Sequence, residues 1–196
     1  MTYIATIVFL LLALTLFFWE ISLFISIFFG APVVDARPKT LASAFELAKL
    51  KRQETVVDFG CSDAHVLLFA AKKFQARGLG VEISPFYYLK ARLKVFFAGQ
   101  NRRIKIKYGD LTKNLDLARQ ADVVYLYLLT KIIAKIEDEL FATARHGTRI
   151  VTIGFKFSHH QPKVKKVIYN SGRPAKLFLY EVGLSIDRKS AQGNRK

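Results

Sequence analysis

Three acidic residues each follow a short run of strand-forming residues: Asp58 after TVV, Glu82 after GLGV and Asp110 after IKIKYG. Such positions are the carboxyl ends of strands, and an open α/β sheet binds its ligands in the crevice beyond those ends. Carboxylates placed there accept hydrogen bonds from hydroxyls and amines. Gly60, Cys61, Ser62 and Ala64 follow Asp58 without bulk, so a ligand can approach the backbone of the turn and the next helix can pack close to the strand. Glu82 lies about twenty residues past the turn, the spacing at which a carboxylate meets ribose hydroxyls. No lysine occupies the glycine turn, which disfavours a phosphate-gripping loop and a triphosphate. Three acids in succession suit a nucleoside with an uncharged or cationic tail.

These residues need a parallel sheet with helical crossovers to bring them together. Val56 and Val57 read as a strand buried on both faces, and Val66, Leu67, Ala70 and Ala71 as the inward stripe of the helix after the turn. Thr40 to Arg52 has helical spacing in Leu41, Ala44, Phe45 and Ala48. Ser84 to Ala98 begins a helix with a serine cap and Pro85 in its first turn, and carries more aromatic and leucine residues than one inward face needs. Arg103 to Tyr108 alternates basic and apolar residues, as a strand with one solvated side does. ADVVYLY (Ala121 to Tyr127) is a fourth strand, Lys131 to Ala144 a helix, and GTRIVTIGFKF (Gly147 to Phe157) a fifth strand. Val164 to Tyr169 and Ala175 to Val182, joined by NSGRP, read as a hairpin. Between Phe157 and Val164 there is no room for a crossover helix, so part of the sheet is expected to lie uncovered. His159 and His160 fall in that loop and read as solvated residues, without the further ligands a metal site needs.

The turn VVDFGCSDA, together with GVEIS and KYGDL, resembles motifs of the class I S-adenosylmethionine-dependent methyltransferases. Ser62 and Ala64 stand where that family has its second and third glycines. More narrowly the chain is similar to the small membrane-anchored protein-lysine methyltransferases that modify the c-type ring protein of ATP synthase or the adenine nucleotide translocase, and to their prokaryotic relatives. The shared pieces are the apolar amino terminus, APVVDARPKT, the turn, GVEIS, and GTRIVTIGFKF followed by Pro162, together nearly the whole chain. The resemblance implies a Rossmann-like seven-stranded α/β sheet with a terminal antiparallel hairpin, and S-adenosyl-L-methionine as cofactor. It places the methionine part against the loop of Gly60, Cys61, Ser62 and Asp63, the ribose at Glu82 and the adenine amino group at Asp110, with Asp58 a further cofactor-binding residue. In nitrogen methyltransferases the acceptor enters past the fourth strand, here Tyr125 and Tyr127, and a tyrosine face attracts an ammonium. Packing between sheet and helix is the other reading of the same tyrosines. No catalytic metal is implied.

Residues 1–29 contain one charge, Glu20, and no lysine or arginine. At about 1.5 Å per residue the run crosses a hydrocarbon core of about 30 Å. It reads as a transmembrane anchor, followed by a proline-flanked linker (30–39), the methyltransferase domain (40–185) and a basic, disordered tail (186–196). Arg37, Lys39, Lys49, Lys51 and Arg52 follow the span, which places the amino terminus outside and the catalytic part in the cytoplasm. The membrane would be the inner one in a bacterium, or mitochondrial in a eukaryote. All 31 basic residues, and all of the 15 acidic ones except Glu20, lie beyond it, a formal +17. That field suits an anionic lipid surface. Nucleic acid would be attracted as well, but a bilayer tether gives a free RNA modifier little. The substrate expected is therefore a lysine of a membrane or membrane-proximal protein. Two other readings stay open: methylation of a lipid or small apolar molecule, and a non-catalytic adaptor that has lost the cofactor.

Overall fold

Valine-, isoleucine- and leucine-rich runs extend because such side chains pack well on a pleated surface covered from both sides. In the computed structural model, which describes residues 2–28, 36–170 and 173–184, they form seven strands among the described residues. These are β1 (Thr55–Phe59), β2 (Arg77–Glu82), β3 (Ile104–Tyr108), β4 (Val123–Leu126), β5 (Arg149–Ile153), β6 (Val164–Asn170) and β7 (Arg173–Glu181). They make one sheet in the order β3-β2-β1-β4-β5-β7-β6. Neighbours from β3 to β5 pair in parallel, and β7 runs antiparallel to both β5 and β6. This is the α/β sheet with a terminal hairpin expected from the sequence. The hairpin's turn, the tail 186–196 and linker residues 30–35 lie outside the described residues.

Alternation along β1 separates two apolar layers. Val56 joins the layer formed with α2 (Pro38–Leu47), α3 (His65–Phe74) and α4 (Pro85–Phe97). Val57 and Phe59 join the opposite one, with α5 (Thr130–Thr143) and two short 3-10 turns at Leu111–Lys113 and Leu115–Gln120. Side-chain period two therefore puts Asp58 on the α2/α3 face, at the carboxyl end of a central strand.

Two boundaries differ from the sequence reading by four residues or more. α2 stops at Leu47 rather than Arg52, because Lys49 takes a left-handed φ of 50°. The Lys49 and Leu50 amides turn back to the carbonyls of Glu46 and Phe45 at 3.0 and 2.9 Å, closing the helix end. β5 ends at Ile153, where Gly154 (φ 81°) turns the chain. Ser84 caps α4 as expected, its Oγ accepting from the Tyr87 amide at 3.3 Å. No helix lies between β5 and β6.

That connection is pinned instead by a carboxylate. Glu137 of α5 is 0 % exposed and accepts hydrogen bonds from the amides of Ser158, His159 and His160 at 2.8, 2.6 and 2.9 Å. The histidines are not simply solvated, as the sequence had implied. His160 stacks on Phe141 with ring centroids 3.5 Å apart, and His159 pairs with Asp138 at 2.7 Å.

α1 (Thr2–Phe28) contains a 19-residue stretch, Tyr3–Ile21, long and apolar enough to cross a membrane, with its side chains exposed. It meets the rest of the molecule at α4, where the Phe18 and Phe86 rings lie 6.5 Å apart.

Candidate active site

The turn after β1 is left-handed at three residues, of which only one is glycine. Gly60, Ser62 and Ala64 all have left-handed φ, at 85°, 49° and 62°. For Ser62 and Ala64 this costs on the order of 1 kcal/mol each, so the surrounding contacts must impose it. The Gly60 and Cys61 amides donate to the Val81 carbonyl at 2.9 and 3.0 Å, and the Ser62 amide to Glu82 Oε2 at 2.8 Å. The turn is thereby fastened to the end of β2. Cys61 points away from the crevice, because its Sγ fills the space above Gly80, where an added Cβ would lie 2.6 Å from the sulfur.

Glu82 is the centre of the arrangement. Its Oε1 accepts from the Ser84 amide and its Oε2 from the Ser62 amide, both at 2.8 Å, so one carboxylate ties together the two loops that rim the crevice. Burial pushes its pKa up, while the backbone donors of Ser84, Ser62 and Ile83 pull it down. Each oxygen retains acceptor capacity beyond one amide. The main chain carries the link onward, since Gly109 donates to the Glu82 carbonyl at 2.9 Å. Next to it, Asp110 caps a 3-10 turn through the Thr112 amide and hydroxyl at 2.8 and 2.9 Å.

Asp58 sits in register between Gly80 and Tyr125 and is 3 % exposed. Burial pushes its pKa up to about 7; His65 opposes that rise, and the nearby Glu82 charge adds to it. A cation bound nearby would be strongly favoured, because Asp58 is otherwise a buried charge with too little compensation.

Asp63 is used differently. It is gripped by Lys94 at 2.5 Å and Lys90 at 3.4 Å, and accepts from the His65 amide at 3.3 Å. The His65 ring, assisted by Lys94, holds its carboxyl well below the usual range. The carboxylate thus fastens the turn to α4. The sequence contains the signal, two lysines one helical turn apart at 90 and 94, but not their target.

Tyr125 is 2 % exposed, with its ring against Phe45 at 5.9 Å between centroids, so its face is covered. Its hydroxyl has no hydrogen-bond partner among the described residues, and neither has the buried Oγ of Ser62. Burial, then the Asp58 charge, pushes the phenol well up. Tyr127, two residues on, is only half-buried. Two orphaned polar atoms and an under-compensated carboxylate thus gather in the turn after β1 and at the ends of β1 and β4, with unused capacity to pair with a polar, cationic group.

A family model described as the ANTKMT methyltransferase domain matches residues 58–164, from Asp58 to the first residue of β6. The chain belongs to this methyltransferase family. A protein-lysine N-methyltransferase of Saccharolobus islandicus (strain REY15A) is 28% identical over 153 residues, covering 78% of this chain and 94% of that protein. A human lysine N-methyltransferase named for the C-type component of ATP synthase is 25% identical over 132 residues, 67% of this chain and 54% of the relative. Among solved structures, an RNA methyltransferase from Salinibacter ruber in complex with S-adenosyl-L-homocysteine superposes with a TM-score of 0.70 at 27% identity, covering 78% of this chain and 96% of the other. The chain is an S-adenosylmethionine-dependent methyltransferase.

Proposed function

We propose that this methyltransferase N-methylates lysine side chains of a protein held in or beside a membrane. The observation that carries the reading is the meeting of α1 and α4. Phe86, which touches Phe18 of the apolar helix, is four residues from Glu82, so the anchor joins the domain at the end where the crevice opens. The two lysine methyltransferases among the relatives support the choice of acceptor.

S-adenosylmethionine, when bound, would supply a sulfonium methyl: a neutral amine nitrogen bonds the methyl carbon as the carbon–sulfur bond breaks, the thioether leaves, and the methylated nitrogen gives up its proton to solvent. In this reading Glu82 holds the ribose hydroxyls, and Asp110 the adenine amino group. The backbone of Gly60, Cys61 and Ser62 lines the methionine part, and Asp63 keeps that turn in place through Lys90 and Lys94. Asp58 faces the positive charge, with the Tyr125 hydroxyl beside it. Tyr127 is the tyrosine left open enough to meet the incoming ammonium, over its ring face. The lysine must arrive neutral, and a dry crevice lowers its pKa. The rest is position and exclusion of water. The domain is tethered at the cytoplasmic side of the span, the basic flank being the one retained there.

Incubation of membranes with the enzyme and methyl-labelled cofactor tests this. Methylated lysine peptides from a membrane protein, found by mass spectrometry, are the expected result. A second reading, RNA methylation, draws on the likeness to the Salinibacter RNA methyltransferase and on the formal +16 of the chain. Label confined to RNA, or to lipid, would overturn the lysine proposal.

A further inference from the structure

α4 is apolar on two opposite sides. At 100° per residue, Ala91 and Val95 face the sheet and are buried. Leu89, Leu93, Phe96 and Phe97 occupy the opposite stripe, 54, 49, 61 and 81 % exposed, with Phe86 at its amino-terminal end. Leu89, Leu93, Phe96 and Phe97 are therefore not core and stay exposed among the described residues, whereas Phe86 meets Phe18 of α1. Lys90 and Lys94 border the stripe on one side and Arg92 on the other; the two lysines share the single carboxylate of Asp63, so the border stays cationic. Beside it, between α4 and the edge strand β3, lies a groove of about 790 Å³ lined by Leu89, Leu93, Phe96, Ile104 and Ile106. Arg102, Arg103, Lys105 and Lys107 stand exposed along the same edge.

We infer that this face of α4 lies in the interfacial layer of an anionic membrane, as a second, in-plane contact besides α1. An apolar apex flanked by lysine and arginine is the pattern of a helix that sinks its side chains among acyl chains while the cations reach lipid phosphates. Continuity selects this occupant: the stripe begins at Phe86, the residue that α1 touches through Phe18. A second copy would bring the same basic border against itself and be repelled. RNA would find the cations and could stack on Phe96 and Phe97, but the aliphatic Leu89 and Leu93 on the same stripe offer bases no stacking face. Held at both α1 and α4, the domain cannot swivel on its linker, and the crevice keeps one attitude to the bilayer. This rests on α1 being in the membrane and not on which group receives the methyl.

Trp19 in α1 is the chain's one tryptophan, which allows the two contacts to be read separately in the full chain. The wild-type protein and a Trp19→Phe/Phe97→Trp variant are reconstituted in phosphatidylcholine vesicles with or without about one third phosphatidylglycerol, using acyl-brominated lipid as quencher. The expected result is quenching of Trp19 in both membranes. The Phe97→Trp variant should show blue-shifted emission roughly halved by brominated lipid, more deeply in the anionic vesicles, and a further Leu93→Glu change should abolish that quenching while cofactor binding persists. Leu89→Trp on the Trp19→Phe background reports the same face should the first variant misfold. Quenching of Trp19 without quenching at position 97 or 89 overturns the α4 contact and leaves the anchor standing. Absence of quenching at position 19 as well removes both. An emission shift at position 97 given by RNA and not by vesicles also overturns it.

Discussion

Asp58 and Glu82 sit one strand apart and answer to pH and mutation in different ways. A carboxyl whose folded pKa is near 7, against an ordinary 3.8, favours folding fully only below the lower value. That contribution is lost as pH rises through 7, at a cost on the order of 4 kcal/mol. Asp58→Asn imitates the protonated form. Without cofactor, this variant should melt above the wild type at about pH 8 and level with it near pH 4, while binding S-adenosylmethionine about tenfold more weakly; scanning calorimetry across pH checks the first part. Glu82→Gln turns one acceptor oxygen into a donor facing the Ser62 or Ser84 amide. Cofactor affinity should fall roughly 10- to 100-fold by titration calorimetry, and an unchanged Kd would count against Glu82 as the ribose ligand. The positions of both residues were legible in the sequence, because each acid closes a strand-forming run near its carboxyl end. The partnership of Asp63 with Lys90 and Lys94 was not. It depends on how α4 docks, which no local pattern records.

Among the elements, the informative place is the connection from β5 to β6, which holds no helix among the described residues. With no helix after β5, residues 154–163 would have to leave backbone amides unsatisfied against the sheet, and Glu137 gathers three of them. Glu137→Ala should strand those amides and lower stability by about 3 kcal/mol, visible as a reduced midpoint in urea with little change in slope. The missing helix could be read from the short spacing between Phe157 and Val164. Glu137 could not, since on an amphipathic helix it resembles any surface acid until the loop folds onto it. The end of α2 was illegible for a similar reason. Lys49-Leu50-Lys51 continues a respectable helix pattern, and only the left-handed Lys49 stops it. In the turn, small residues were foreseen but not the left-handed backbone of Ser62 and Ala64, which shows that the fastening to β2 dictates the shape whether or not glycine is there.

Across the whole molecule, the proposed anchoring makes the charge distribution testable. If the basic flank of α1 faces the cytoplasm, trypsin added outside sealed right-side-out membrane vesicles should leave the lysine-rich domain intact and cut it once the vesicles are opened. Cleavage without opening would reverse the topology. The sheet's two borders add a last consequence. β3 presents Lys105 and Lys107, and β6 presents Lys165 and Lys166, all exposed, on strands with one unpaired side. Molecules confined to two dimensions collide often and in similar poses, conditions that encourage strands to zip end to end into fibrils. Ammonium groups along both selvedges make each such encounter mutually repulsive, so on the proposed membrane location crowding in the lipid plane would not zip these borders together.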